Sequence, residues 1–261
     1  LFSSSNSFLL TTNFPIPEGQ APLAKGDRIL LIYPPCSPHF IIAFSACLRC
    51  GLVAVPVYPP NPDRKGSVAN FAGIASGCGA RAALTSGEYA YDKRLSEMKS
   101  SLELIIWVVT DREPLQNAPK VAEHEEVKST PEPHETAFIQ YTSGSTASPK
   151  GVVLTHANLA HNLDILTDEL NANGDTKVVS WLPQYHDMGL IGSILGVLYC
   201  GGTGYYQTPE SFIERPMSWL EAASELQATH LQAPNFSFSL CSRKFNPAEY
   251  YKGIGGTTVN D

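Results

Sequence analysis

Short apolar runs alternating with helical stripes constrain this chain more than any other feature. Arg28 to Tyr33, Val53 to Val57 and Leu104 to Val109 are near-continuous apolar runs, and Arg81 to Thr85 is a shorter one. A strand covered on both faces reads this way, whereas a strand with one wet face alternates. Between the runs the spacing changes. Phe40, Ile41, Phe44, Cys47 and Leu48 fall on one helical face. Ser37-Pro38 stands where that helix starts and Gly51 where it stops. Val68, Phe71, Ile74 and Ala75 repeat the spacing before Gly77 and Gly79, and Leu95, Met98 and Leu102 mark a more polar helix. Thr155 reads as the cap of a helix whose inner stripe is Leu159, Leu163, Leu166 and Leu170. The rhythm continues with a strand at Lys177 to Leu182, a Gly-spaced apolar helix to about Leu198 and a strand at Tyr205-Tyr206. A helix at Trp219 to Leu226 and a strand at Thr229 to Leu231 complete it. The pattern predicts an α/β fold with mainly parallel strands, flanking helices and right-handed crossovers.

The segments outside this rhythm set the domain plan. Residues 1–23 are rich in Ser, Thr, Asn and Pro and read as an irregular lead-in, residues 24–245 as one domain, and residues 246–261 as an atypical tail. From Asp111 to Glu135 the acids Asp111, Glu113, Glu123, Glu125, Glu126, Glu132 and Glu135 outnumber Arg112, Lys120 and Lys128. That stretch reads as a solvated connection. A formal net charge of −7 argues against a general nucleic-acid binder. No apolar run reaches the roughly 18 residues of a membrane span. The six cysteines are scattered, and Cys47-Leu48-Arg49-Cys50 has no second pair to complete a zinc site. Buried, reduced thiols and a cytoplasmic location are the expectation. The chain begins with Leu1 and carries no basic leader, so it reads as a fragment or a processed product.

One polar stretch carries the chemistry: Tyr141-Thr142-Ser143-Gly144-Ser145-Thr146-Ala147-Ser148-Pro149-Lys150-Gly151. Ala137-Phe138-Ile139 precedes it and Val152-Val153-Leu154 follows, so it reads as strand, loop, strand. The hydroxyls of Thr142, Ser143, Ser145 and Thr146, with the intervening backbone N–H groups, can surround a polyphosphate. Gly144 allows close backbone approach, and Lys150 supplies a positive charge. A surface Ser/Thr turn is the plain alternative. The common nucleotide P-loop is excluded, because it needs Gly-Lys-[Ser/Thr] running straight into a helix, and here Gly151 follows Lys150.

The stretch resembles the phosphate-binding loop of the adenylate-forming (AMP-binding) superfamily, with Ala147 where those proteins usually have Gly. Gly26-Asp27-Arg28, Tyr33-Pro34-Pro35 and Ala54-Val55-Pro56-Val57-Tyr58-Pro59-Pro60 are similar to the opening of fatty acyl-AMP ligases. Trp181-Leu182-Pro183-Gln184-Tyr185-His186-Asp187-Met188-Gly189-Leu190-Ile191-Gly192 is similar to the same branch. Arg215-Pro216, Trp219 and Ala233-Pro234-Asn235-Phe236 extend the match, although Gln232 and Ala233 stand where that branch usually has Gly-Gly.

The resemblance implies that a fatty acid is activated with ATP to acyl-AMP and pyrophosphate, for transfer to an acyl carrier protein as in polyketide synthase loading. Thr142, Ser143, Gly144, Ser145, Thr146 and Lys150 would hold the β- and γ-phosphates, with Mg2+ bridging phosphate oxygens. His186 would lie beside the acyl carboxylate, and Trp181, Met188, Ile191 and Asn235 would contact the acyl substrate, ordinary core packing being the alternative for these. Coenzyme A as the acceptor, as in long-chain acyl-CoA synthetases, is a second reading. A non-catalytic adenylation-like binding module is a third. The family's later segments, Tyr-Gly-x-x-Glu, Thr-Gly-Asp and the domain with a catalytic Lys, are not seen, so these residues alone are expected to be inactive.

Overall fold

The computed structural model describes residues 23–61, 63, 66–90, 105–111, 131–142 and 149–247. The expected helix at Leu95 to Leu102 and most of the acidic connection lie outside them. The chain divides into two compact units, Leu1–Asp164 and Ile165–Asp261.

The first unit is built on a six-stranded sheet in the order β4-β3-β1-β2-β5-β6. Its strands are β1 (Arg28–Ile32), β2 (Val53–Pro56), β3 (Ala82–Thr85), β4 (Ile106–Val109), β5 (Thr136–Thr142) and β6 (Lys150–Thr155). Every neighbouring pair is parallel except β5 and β6. The apolar runs follow from burial on both faces. Leu30 and Ile32 pack with Phe71, Ile74 and Ala75 of α2 (Ser67–Cys78). Phe138, whose side chain points the other way from Ile139, meets Phe44 of α1 (Pro38–Arg49) edge-on, ring centroids 5.6 Å apart. Successive strand residues thus serve opposite layers. Each fully buried large apolar side chain contributes about 1.5–3 kcal/mol.

Helix α1 starts at Pro38 as its sequence predicts, although the Ser37 side chain makes no capping bond. It ends in a Schellman turn. Leu52 N donates to Cys47 O at 2.9 Å and Gly51 N to Leu48 O at 3.4 Å, with Gly51 at φ +68°. A single turn, α3 (Gly87–Ala90), follows β3. Helix α4 (His156–Glu169) is entered through a reciprocal cap. Asn158 N donates to Thr155 Oγ1 at 3.1 Å, and Thr155 N donates back to Asn158 Oδ1 at 3.1 Å. Leu159 and Leu163 are buried as expected, but Leu170 lies beyond the helix end and is 44% exposed. Asn171, at φ +51°, has already turned the chain there.

The second unit pairs β7 (Lys177–Ser180) with β8 (Thr203–Tyr206) in parallel. Strand β7 stops two residues earlier than the apolar run suggests. Thr229 to Leu231 does not form the expected strand and makes only one bridge, His230 to Val178. Between β7 and β8 lie a π-helix, Met188–Leu195, and α5 (Gly196–Cys200). Helices α6 (Pro209–Glu214), α7 (Met217–Glu225) and α8 (Asn235–Lys244) follow. The core of this unit is aromatic. Trp219 is fully buried and donates its indole N–H to Val179 O at 2.8 Å, and Phe212 meets its ring edge-on at 5.9 Å.

Cys47, Cys50, Cys78 and Cys241 are buried, and all six cysteines are free thiols. Burial pushes the Cys50 thiol up to about 11 and the Cys47 thiol higher, which keeps both protonated and inert. No described helix is long and apolar enough to cross a membrane.

Candidate active site

Each unit carries part of the candidate set. In the first, β5 ends at Thr142 and β6 begins at Lys150, and these two exposed residues are cross-strand partners. Because β5 runs parallel to β2, the hairpin opens beyond the carboxyl ends of the parallel strands, where open α/β sheets bind ligands. Ser143, Gly144, Ser145, Thr146 and Ala147 lie outside the described residues. Gly151 has a local explanation. A Cβ there would meet Ile139 Cγ2 at 2.8 Å and Tyr141 Cζ at 3.1 Å. Tyr141 is the cross-strand partner of Gly151, so the glycine seats that ring and holds the register that sets Lys150 opposite Thr142.

In the second unit the chain leaves β7 and turns through Pro183, whose carbonyl accepts His186 N at 3.1 Å. Gly189 closes this turn, because a Cβ there would collide with the Pro183 carbonyl. His186 Nδ1 lies 2.7 Å from Asp187 Oδ1. That oxygen also accepts Met188 N at 2.7 Å, which caps the π-helix. The carboxylate therefore fixes the ring, and an Nδ1–H donating to it leaves Nε2 for a second partner. Both side chains are well exposed, at 65% and 66%.

The expected acyl-contact residues divide by burial. Met188 is 36% exposed at the start of the π-helix, Ile191 is half-buried on the same helix, and Asn235 is exposed at the first residue of α8. Trp181 is a core residue. Its indole stacks on Phe212 with centroids 4.1 Å apart and planes 5° from parallel, and it meets Phe236 at 5.9 Å. Its indole N–H has no acceptor among the described residues. π-Helical turns recur at functional sites because they open one side of a helix, and here one carries both Met188 and Ile191.

Two contacts carried no signal in the sequence. Asp187 as the partner of His186 is one. The other is Gln232, whose Nε2 donates to Ser193 Oγ at 2.9 Å. Among the described residues no group of three or more His, Cys, Asp or Glu is placed to hold a metal.

The model of the AMP-binding enzyme family matches residues 20–256. The chain belongs to that family. It is 35% identical over 230 residues to the medium-chain-fatty-acid–[acyl-carrier-protein] ligase JamA of Moorena producens, an alignment covering 87% of this chain and 38% of JamA. It is 31% identical over 229 residues to the long-chain-fatty-acid–AMP ligase FadD32 of Mycobacterium marinum, covering 86% and 35%. The fatty acyl-adenylate ligase from L. pneumophila, solved with acyl adenylate and pyrophosphate, superposes with a TM-score of 0.73 at 32% identity. That superposition covers 87% of this chain and 38% of the other. The mostly parallel α/β architecture is thus that of adenylate-forming enzymes. The chain spans well under half the length of these relatives.

Proposed function

We propose that the protein carrying these residues is an ATP-dependent fatty acyl-AMP ligase that passes its product to an acyl carrier protein. The observation that supports this most is the 35% identity to a ligase whose name specifies a medium-chain fatty acid and an acyl carrier protein, sustained over 87% of the chain. A medium- or long-chain fatty acid is the substrate. Its carboxylate attacks the α-phosphorus of ATP, a C–O–P link forms, and the bond to the leaving pyrophosphate breaks. No protein nucleophile is consumed, so orientation and charge placement carry the catalysis.

In this reading Thr142, Ser143, Gly144, Ser145, Thr146 and Lys150 bind the β- and γ-phosphates. The paired strand ends fit that task, because they present a hydroxyl and an ammonium side by side at the mouth of the loop. Mg2+ would accompany the nucleotide and offset its phosphate charge, since among the described residues no cluster of three or more His, Cys, Asp or Glu is placed to hold a metal. His186, oriented by Asp187, would donate a hydrogen bond from Nε2 to an oxygen of the acyl carboxylate. Met188, Ile191 and Asn235 contact the acyl group, and Trp181 backs them as a rigid wall. Residues 24–245 would act as part of one AMP-binding domain in a cytoplasmic enzyme.

The test is ATP–pyrophosphate exchange by the complete gene product with fatty acids of graded length. Loading of a phosphopantetheinylated carrier protein is then compared with acyl-CoA formation. Exchange with faster carrier loading supports the proposal. Equal or faster acyl-CoA formation moves the assignment to the acyl-CoA synthetases, and no exchange with any acid supports a binding module.

A further inference from the structure

The side chain of Gln232 reaches from the segment before α8 to the π-helix. Its Nε2 donates to Ser193 Oγ at 2.9 Å. A Cβ on Gly192 would lie 2.7 Å from Gln232 Oε1 and 2.8 Å from Nε2, so the amide rests directly on the glycine backbone. The anchor is itself fixed: Ser193 is 1% exposed, and its carbonyl accepts the Tyr206 hydroxyl from β8 at 2.8 Å. Gln232 is therefore a held side chain rather than a solvated one. The side chains around it in sequence are of the opposite character. Leu231 precedes it and Phe236 follows it, at 38% and 50% exposure. On the π-helix, Met188 stands about one turn before Gly192, and Ile191 adjoins it. Gln232 is thus an anchored amide seated beside Gly192, on the π-helix that also carries Met188 and Ile191.

We propose that Gln232 determines the acyl chain length this protein accepts: the chain lies along Met188 and Ile191, and its end stops at the amide seated on Gly192. The inference rests on the acyl-adenylate reading above. An acid that ends short of the amide leaves the Gln232–Ser193 bond intact. A longer one must push the amide off Gly192 and leave the buried Ser193 hydroxyl without its partner, which is unfavourable. Glycine at position 232 would remove the stop. A pocket discriminates a single methylene by roughly 10- to 200-fold, so an obstruction the length of a Gln side chain is ample to set a limit.

The experiment measures ATP–pyrophosphate exchange by the complete gene product with octanoate and with hexadecanoate. For Gln232→Gly the ratio of kcat/KM for hexadecanoate to that for octanoate is expected to rise by about tenfold or more, with the change in the KM for the acid and none in the KM for ATP. Gln232→Met, which keeps the bulk but loses the bond to Ser193, is expected to raise the ratio by less than Gln232→Gly does. A side chain that only braced the turn would lower both acids alike in both variants. An unchanged ratio in Gln232→Gly overturns the inference and leaves the ligase reading intact. Absence of exchange by the wild type with either acid, or with acids of intermediate length, overturns both. If Gln232→Gly does not fold, Gln232→Ser makes the same comparison.

Discussion

Leu30 in β1 and Trp181 after β7 are both buried, at 0% and 5% exposure, but they are buried by different means. Leu30 lies in a parallel ladder between β2 and β3, with layers on both faces of the sheet. Its neighbours in sequence are buried for the same reason, so the whole run is apolar. Trp181 has left its ladder, because β7 ends at Ser180. It is held by a stacked Phe212 and an edge-on Phe236, residues 31 and 55 positions later in the chain. Where the backbone ladder organises the core, position in the strand predicts burial. Where ring stacking organises it, burial depends on partners far away in sequence, and the local pattern is silent.

The largest expected effect probes the aromatic core. Trp219→Ala removes a fully buried indole, its bond to Val179 O and its contact with Phe212. It is expected to cost about 3–5 kcal/mol. Chemical denaturation of variant and wild type measures it, with hydrogen exchange at the β7 amides as a local readout. A loss below about 1 kcal/mol would contradict a core held by ring packing.

The next moves from stability to chemistry in the first unit. Lys150→Ala is expected to weaken ATP use by about 1.5–3 kcal/mol, the usual worth of a charged hydrogen bond. Because Lys150 is exposed at a strand end, the fold should be indifferent. Pyrophosphate exchange at subsaturating ATP, measured on the complete gene product, reads the first effect, and the thermal midpoint reads the second. An unchanged exchange rate would remove Lys150 from phosphate binding.

Smaller still is the effect of a backbone constraint in the region organised by ladders. Gly51 ends α1 at φ +68°, with the Lys25 side chain 2.8 Å from where a Cβ would stand. Gly51→Ala is expected to destabilise by about 1 kcal/mol, the cost of a left-handed conformation for an L-residue. A shift in the denaturation midpoint with unchanged m-value checks it. No shift would mean that the α1–β2 turn can rearrange.

The smallest effect concerns pH. Burial lowers the pKa of His156, outweighing the opposing pull of Glu135, with Lys25 adding to the depression. Its Nε2 is buried with no partner among the described residues. The folded state therefore takes up a proton less readily than the unfolded chain. This contribution to stability is fully present above about pH 6.5 and declines as pH falls through that value towards the lower folded pKa. His156→Gln should flatten the dependence of the thermal midpoint between pH 7 and 5. The same slope in wild type and variant would assign it to other groups.

Most of the first unit was legible because its rules are local. The continuous runs at Arg28 to Tyr33 and Val53 to Val57, the α1 stripe and the stop at Gly51 each became the expected element. The two strands flanking the phosphate-loop candidate were legible in outline. The antiparallel placement of β6 at the end of the described sheet was not, and with it came Val152 and Val153 at 49% and 58% exposure. An apolar run states an affinity for burial but does not name its cover. In the second unit, Thr229 to Leu231 had a strand's composition, yet it finds only a single bridge beside Val178.

The sequence by itself determined the family, the α/β rhythm and the residue types of the candidate site, because these reside in contiguous motifs and short periods. Tertiary structure alone decided which side chains hold which. Gln232 meets Ser193 across 39 positions, a contact made with α5, β8, α6 and α7 all lying between the two in the chain. Hydrogen bonds act over about 3 Å, while the chain separating such partners encodes only local preferences. Their meeting is therefore a property of the packed unit and not of any segment of it.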